Sequence, residues 1–263
     1  DSLIERFRGA RAIGIASTAR SKDPEWMAEH LPRSFAWLDA FQSPILQYKT
    51  CSTFDSSPET GSIGKAIEIG LSVRPAAGVP LIAAAPQMRR YQAFGHLFAG
   101  SFDGVFRLDR HPVMAHHPVT PMDESDLLHH LARQTILPSA LINLEMLWGN
   151  PQDALQAVLQ SGARILSIDS MEPISEEAAG RLLWENKQKL GFVVGSQGVE
   201  YALVRHWIAT GMLEPVPPVR SAGKVDTIVA VSGSVSPTTA EQLVHAGANG
   251  FELLPFPATC VCG

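Results

Sequence analysis

A run of polar side chains that could bind an anionic ligand follows the apolar segment from Pro44 to Tyr48. It begins with Lys49, carries four hydroxyls between Ser52 and Ser57, and contains one carboxylate, Asp55. A helical apolar pattern follows it. Between a strand and a helix, free backbone N–H groups and the helix dipole favour carboxylates or phosphates. Asp55 is the one candidate general base in this run; alternatively, Asp55 or Ser57 caps the helix.

Two further segments have the order strand, small polar turn, helix. Residues 195–198 (Gly-Ser-Gln-Gly) follow an apolar run, and residues 232–239, rich in serine and threonine, follow another. Such turns let backbone amides approach a phosphate closely, although glycine and serine also serve ordinary turns. Both are therefore candidate anion sites.

Arg20 follows a first predicted strand, and an arginine at the carboxyl end of a strand can grip a carboxylate with two hydrogen bonds. The alternative for a single arginine is a surface ion pair. A histidine-rich loop with His111, His116 and His117 suggests a metal site, but it contains two prolines and lacks the i, i+4 spacing of a helical zinc pair. A metal-dependent hydrolase is accordingly the weakest functional hypothesis.

Short apolar runs alternate with segments of helical periodicity along the chain, as in a parallel sheet covered by helices. The predicted class is α/β, with helices on both faces of the sheet. Helices are expected from Pro151 to Gly162 and from Val199 to Gly211, with His206 and Trp207 in the core. Strands are predicted at residues 12–16, 44–48, 79–85, 164–168, 191–194, 227–231 and 251–254.

A proline-dense stretch near residues 214–219 is typical of a semi-rigid linker. The expected division is a substrate-binding domain over residues 1–213, a linker over 214–225, and the beginning of a second α/β domain, which binds nucleotide, over 226–263.

Composition excludes several classes of protein. Hydrophobic residues make up 45% and charged residues 18% of the 263 residues, as in a globular protein rather than a disordered one. A net charge of -5 argues against a nucleic-acid partner. No apolar run reaches the ~20 residues of a membrane helix and the start does not resemble a secretion signal, so a cytoplasmic location with no membrane partner is expected. The cysteines, Cys51, Cys260 and Cys262, are predicted to be reduced thiols.

Taken together in order, these segments resemble the four-carbon acid sugar kinase family, whose members transfer phosphate from ATP to the terminal hydroxyl of acids such as D-threonate, D-erythronate or 3-oxo-tetronate. The 3-oxo-tetronate kinase branch is the most similar. The motifs that carry the resemblance are residues 17–21, 48–57, 61–64, 95–98, 117–122, 195–198 and 232–238.

The resemblance implies an amino-terminal substrate domain and a carboxy-terminal nucleotide domain. By position, Arg20 and the segment Lys49, Thr50, Cys51, Ser52 and Thr53 would bind the sugar acid. Ser234 and Ser236 would contact ATP, and Mg²⁺ would bridge its phosphates. The expected partners are a small-molecule sugar acid and, as one option, a second copy of the chain.

Three features depart from the family pattern. The family's early Asp-Asp-x-Thr-Gly-Ala segment and its later Gly-Gly-Asp/Glu-Thr-Ser phosphate motif are absent, and Arg89-Arg90 stands where the family has Gly-Arg. The chain is therefore expected to correspond to the middle of such a kinase. The leading hypothesis is an ATP-dependent sugar-acid kinase; the alternative is a sugar-acid binding module without catalysis.

Overall fold

A computed structural model describes residues 9–215, 217, 220–221, 223–234 and 236–255. The chain divides into two compact units, Asp1–Pro215 and Val216–Gly263. Each unit is described by itself below.

A five-stranded, wholly parallel sheet forms the centre of the first unit. The five strands are β1 (Leu46–Lys49), β2 (Val79–Ile82), β6 (Ser139–Ile142), β7 (Ile165–Ile168) and β8 (Phe192–Gly195). Their spatial order is β1-β8-β2-β7-β6. The predicted α/β class is confirmed.

Helices cover both faces of this sheet. Because side chains alternate along a strand, Leu81 and Val194 point into one apolar core while Ile82 and Val193 point into the other. The first core is closed by α1 (Pro24–Asp39), α2 (Ile63–Val73) and α3 (Leu127–Leu131). The second is closed by α4 (Leu144–Trp148), α5 (Pro151–Gln160), α6 (Pro173–Glu185) and α7 (Gly198–Ala209).

The helix α1 shows why these segments fold as they do. Asp23 caps it by accepting a hydrogen bond from the N–H of Trp26, and Pro24 occupies its first turn. Met27, Leu31 and Phe35, spaced four residues apart, are buried on one face. The predicted helices at α5 and α7 are likewise present, and His206 is buried at 3% exposure.

A separate antiparallel sheet, β3-β4-β5, follows β2 along the chain. Its strands are β3 (Arg90–Ala93), β4 (His96–Ser101) and β5 (Gly104–Arg107). Sequence periodicity missed this sheet and missed β6. Short 3-10 turns lie at Ala19–Ser21, Pro86–Met88, Leu108–Arg110 and Met114–His116.

Three predicted strands are wrong. Residues 12–16 are irregular and largely exposed, and residues 227–231 and 251–254 form no strand. In each case the apolar run finds no neighbouring strand with which to share hydrogen bonds, and an isolated apolar segment does not hold a strand conformation. In the second unit the described regular element is the helix α8 (Pro237–Ala248).

Candidate functional site

The polar segments of the first unit meet at the carboxyl edge of the parallel sheet. Strand β1 leads into the 50–57 loop, and β8 beside it leads into the turn at Ser196. Open α/β sheets bind ligands at this edge, because loops from neighbouring strands diverge there. The fold therefore brings the loop after β1 and the turn after β8 to one side of the sheet.

Arg20 and Asp55 form a two-pronged ion pair. The Nε and Nη2 atoms of Arg20 donate to the two carboxylate oxygens of Asp55 at 2.8 and 2.9 Å. The Asp55 side chain is 2% exposed and that of Arg20 is 60% exposed. Arg20 was expected at the end of a strand; instead it lies in the 3-10 turn Ala19–Ser21, because residues 12–18 form no strand.

Two neighbours extend this pair into a cluster. The hydroxyl of Thr53 donates to Asp55 Oδ1 at 2.5 Å and lies 2.9 Å from the sulfur of Cys51. Burial lowers the pKa of Arg20, but Asp55 and Cys51 outweigh burial, so the net pKa is raised and the guanidinium stays charged. Arg20, Cys51, Thr53 and Asp55 thus form one hydrogen-bonded group, called the Arg20 cluster below.

Gly61 allows the backbone that follows the Asp55 loop to approach the backbone of Arg20 closely. Its φ is +63°, its N–H donates to Lys22 O at 2.8 Å, and a side-chain carbon there would lie 2.3 Å from the carbonyl oxygen of Arg20. Only glycine tolerates both the left-handed conformation and the close approach.

The other residues of the predicted loop are placed differently. Lys49 is exposed, with its Nζ 3.4 Å from the carbonyl oxygen of Thr50. Thr50 is 8% exposed and its buried hydroxyl has no partner, while Ser52 is buried at 5% exposure. Neither Asp55 nor Ser57 caps the next helix: Ser62 does so, accepting from the N–H of Lys65.

A histidine that sequence reasoning missed lies behind the same loop. His130 Nε2 is 2.9 Å from the Ser56 hydroxyl and 3.0 Å from Gln134 Nε2, and His130 is 4% exposed. Burial, helped by the charge of Arg133, lowers the pKa of His130 to about 4, so the ring is neutral at pH 7. Ser56, His130 and Arg133 border a cavity of about 280 Å³ that also touches Ser57 to Glu59 and Val119 to Pro121.

The turn after β8 is tightly packed. Ser196 is fully buried, its hydroxyl accepts from the N–H of Gly198 at 3.0 Å, and it donates to Ala84 O at 3.4 Å. A side-chain carbon at Gly198 would lie 1.6 Å from that same carbonyl oxygen. The Ser196 hydroxyl therefore holds the turn against the loop after β2.

In the second unit, Ser234 and Ser236 form a hydroxyl cluster at the start of α8. Ser236 caps this helix by accepting from the N–H of Thr239 at 3.2 Å. The Ser234 hydroxyl lies 3.2 Å from that of Ser236 and 2.8 Å from that of Thr239. The strand predicted before them is absent.

In the histidine-rich loop, two imidazole rings accept hydrogen bonds from backbone N–H groups of the loop. His111 Nδ1 accepts from the N–H groups of Val113 and Met114, and His117 Nδ1 accepts from that of Thr120. Across the residues described, no three His, Cys, Asp or Glu side chains come together in a metal-binding group. No helix in the described ranges is long and apolar enough to cross a membrane.

A parallel sheet with polar, charged loops at its carboxyl edge defines the class of small-molecule-binding α/β domains. The chain belongs to the four-carbon acid sugar kinase family: residues 2–203 match the family described as "Sugar-binding N-terminal domain". The family resemblance drawn from the sequence is confirmed.

Two curated relatives carry kinase names. A "3-oxo-isoapionate kinase" of Paraburkholderia graminis is 47% identical over 95% of this chain and 53% of its own length. A "3-oxo-tetronate kinase" of Pectobacterium atrosepticum is 27% identical over 89% of this chain and 54% of its own length. The chain thus spans about half the length of these relatives.

Two solved structures share the fold. A Haemophilus influenzae protein superposes with a TM-score of 0.66 at 20% identity, covering 89% of this chain and 54% of its own. A domain from Bordetella bronchiseptica, described as a domain-swapped dimer with bound citrate, has a TM-score of 0.59 at 19% identity and covers 77% of this chain and 46% of its own.

Proposed function

We propose that this chain binds the sugar-acid substrate of an ATP-dependent kinase, which phosphorylates the terminal hydroxyl of a 3-oxo-tetronate-type or related sugar acid. The observation that carries the proposal is the Arg20 cluster at the carboxyl edge of the sheet, beside the exposed Lys49. Family membership and the kinase names of the relatives support it.

Phosphoryl transfer depends on positioning and charge neutralisation more than on covalent chemistry by the protein. The cationic Lys49 and the hydroxyls of the loop after β1 suit the binding and orientation of a polyhydroxy acid. Asp55 is fully engaged by Arg20 and Thr53, so we assign it to positioning these two side chains rather than to proton abstraction.

ATP and Mg²⁺ belong to the same proposal. The hydroxyls of Ser234, Ser236 and Thr239 at the start of a 12-residue helix have the chemistry to receive a phosphate oxygen. Mg²⁺ would be held mainly by the phosphates, as is usual for this ion. Bound ATP would supply the transferred phosphoryl group.

The test is calorimetric titration of the chain with D-erythronate and D-threonate. We expect wild-type protein to bind at least one acid. Lys49→Met should weaken binding about 3- to 10-fold while the melting temperature stays within a few degrees, because methionine keeps the apolar stem and removes the charge.

Lys65→Met is the matched control. Lys65 lies on α2 and pairs with Glu68 at 3.5 Å, so its replacement should leave the acid affinity unchanged. Failure of the wild-type chain to bind any sugar acid would overturn the proposed function, and an equal loss in both variants would remove Lys49 from the site.

A second copy of the chain is also proposed as a partner. The Bordetella bronchiseptica domain is described as a domain-swapped dimer, which supports testing for a homodimer by sedimentation.

A further inference from the structure

The sequence pattern predicts that Arg20 binds the substrate's carboxylate, but the charge of Arg20 already has a counter-charge. Both carboxylate oxygens of the buried Asp55 receive its donors. A guanidinium paired in this way has only its remaining N–H donors left for a ligand, and its positive charge is balanced by the carboxylate. Besides Lys49, which is a point charge, a second uncompensated cation at this edge is therefore required to hold a carboxylate with two parallel hydrogen bonds.

Arg90 lies where such a cation is required. It follows β2, the central strand of the parallel sheet, and pairs with Ala85 through two backbone hydrogen bonds of 2.9 and 3.2 Å. This places Arg90 at the carboxyl edge, as the first residue of β3. Strand β8 lies between β2 and β1, so Arg90 and the loop after β1 belong to the same edge.

The Arg90 side chain has a charge without a counter-charge. Its Nη1 donates to the carbonyl oxygen of Met88 at 2.9 Å and lies 3.5 Å from those of Arg89 and Gly100. Its Nε is buried and has no partner, and none of the ion pairs found in the described part of the chain includes Arg90. Burial lowers its pKa; Cys51 opposes this shift and Arg89 adds to it.

The sheet places Arg90 and the Arg20 cluster at the same edge. The Arg20 cluster includes the loop after β1, and Arg90 stands beyond the end of β2, with β8 between these two strands. Cys51, in the loop after β1, raises the pKa of both guanidiniums.

We propose that Arg90 receives the carboxylate of the sugar acid, and that Arg20, fixed by Asp55, is a positioning residue for the loop. The inference rests on the proposed function and names the residue that distinguishes an acid from the corresponding polyol. A planar guanidinium with an unused Nε matches a carboxylate, which can accept two parallel hydrogen bonds.

Position, and not the unused Nε alone, distinguishes Arg90. Arg164 also has a buried Nε without a partner. It immediately precedes β7, at the amino edge of the same sheet, and donates to Ala76 O at 3.0 Å. Arg89 is exposed and engages Ser101 O and Gly104 O at 2.8 and 3.1 Å, which holds the β4–β5 hairpin.

The experiment compares D-erythronate with erythritol, its uncharged counterpart, by calorimetric titration of the 263-residue chain. Wild type should prefer the acid. Arg90→Gln should weaken acid binding about 10- to 100-fold, the range for a lost charge-assisted hydrogen bond, and should abolish the preference over erythritol. Arg90→Lys should recover part of the preference for the acid, because lysine restores the positive charge but not the planar pair of N–H donors.

Arg164→Gln is the matched control and should bind erythronate as wild type does. Should Arg90→Gln misfold, judged by its melting temperature, Arg90→Lys decides: binding equal to wild type overturns the inference, since a side chain that bound the carboxylate through its fork could not lose the fork without losing affinity. Full acid preference in folded Arg90→Gln also overturns it and leaves the proposed function standing.

A parallel titration with citrate separates the two proposals. If wild type binds citrate but no four-carbon acid, and Arg90→Gln loses citrate, Arg90 is a carboxylate receptor and the sugar-acid function fails. If wild type binds no carboxylate at all, both fail.

Discussion

The role of a single charged residue in this chain depends on which partner the fold gives it. The density of hydroxyls and charges after β1 pointed to the loop that contains Asp55, yet the sequence does not show that Arg20 and Asp55, 35 residues apart, form an ion pair. A neutralised arginine orders a loop; an uncompensated one attracts an anion. The distinction depends on tertiary pairing, which spacing along the chain does not encode.

His130 gives a pH-dependent contribution to stability. Its pKa is about 4 in the folded protein and 6.5 unfolded, so the unfolded chain takes up the proton first as the pH falls. The contribution is therefore complete above about pH 6.5 and is lost as the pH drops toward 4. At pH 5 we expect the free energy of unfolding to be about 2 kcal/mol lower than at pH 7 from this group.

The measurement is urea denaturation of wild type and His130→Gln at pH 7 and pH 5. In wild type, the free energy of unfolding should fall by about 2 kcal/mol between pH 7 and pH 5 because of His130. In His130→Gln this contribution should disappear, whatever the stability of the variant at pH 7. His129→Gln changes the exposed neighbour on the same helix and should keep the wild-type difference. An unaltered difference in His130→Gln would mean that the ring is already protonated or hydrated in the fold.

At the scale of elements, a buried carboxylate links the turn of the antiparallel sheet to the parallel sheet, beside the backbone bridge between Gln92 and Ser170. Asp169, directly after β7, accepts from the N–H groups of Phe94, Gly95 and Leu144 at 2.6, 3.0 and 3.2 Å. Phe94 and Gly95 form the β3–β4 turn with φ of +50° and +81°. Phenylalanine rarely adopts this conformation, so Asp169 stabilises a turn that the residue types alone do not favour.

This turn explains why sequence reasoning missed the antiparallel sheet. A two-residue hairpin is usually recognised by Asn-Gly or Asp-Gly, whereas here the carboxylate comes from a position 75 residues away. The buried strands β2, β7 and β8 were found because continuous Val, Ile and Leu runs identify them locally. Residues 12–16 and 227–231 have the same local pattern without partner strands, so the pattern alone was misleading.

Asp169→Asn should lower the free energy of unfolding by about 2–3 kcal/mol, because an amide offers one acceptor where the carboxylate offered two. Chemical denaturation measures the loss, and hydrogen exchange of the Phe94 and Gly95 amides should accelerate selectively. Asp103→Asn, an exposed change in the β4–β5 turn, should stay within about 0.5 kcal/mol of wild type. Unchanged amide exchange in Asp169→Asn would show that the β3–β4 turn is stable without the Asp169 carboxylate.

At the scale of the whole molecule, the groups proposed to bind the acid and those proposed to bind the nucleotide belong to different units of the chain. The first unit contains the five-stranded parallel sheet with its loops, whereas in the second the described groups proposed to bind phosphate are the hydroxyls at the start of α8. The Gly-Gly-Asp/Glu-Thr-Ser motif that family members place on the phosphates does not occur in the sequence. Acid binding and nucleotide binding should therefore be separable in this chain.

We expect Mg-ATP to bind this chain too weakly to saturate at several millimolar, with no measurable phosphorylation of a sugar acid. A Kd of 1 mM corresponds to about 4 kcal/mol, and a few hydroxyls at a helix start, already bonded to one another, fall short of that once ordering costs are met. Joining the chain to the second half of a relative, and to the amino-terminal strand that carries the family's early Asp-Asp-x-Thr-Gly-Ala segment, should restore ATP binding and turnover. There, Ser234→Ala should raise the KM for ATP several-fold more than that for the acid, while Ser221→Ala, an exposed hydroxyl of the same unit, should change neither. Rapid phosphorylation by the 263-residue chain itself would contradict this division, since its turns would then suffice to bind the nucleotide.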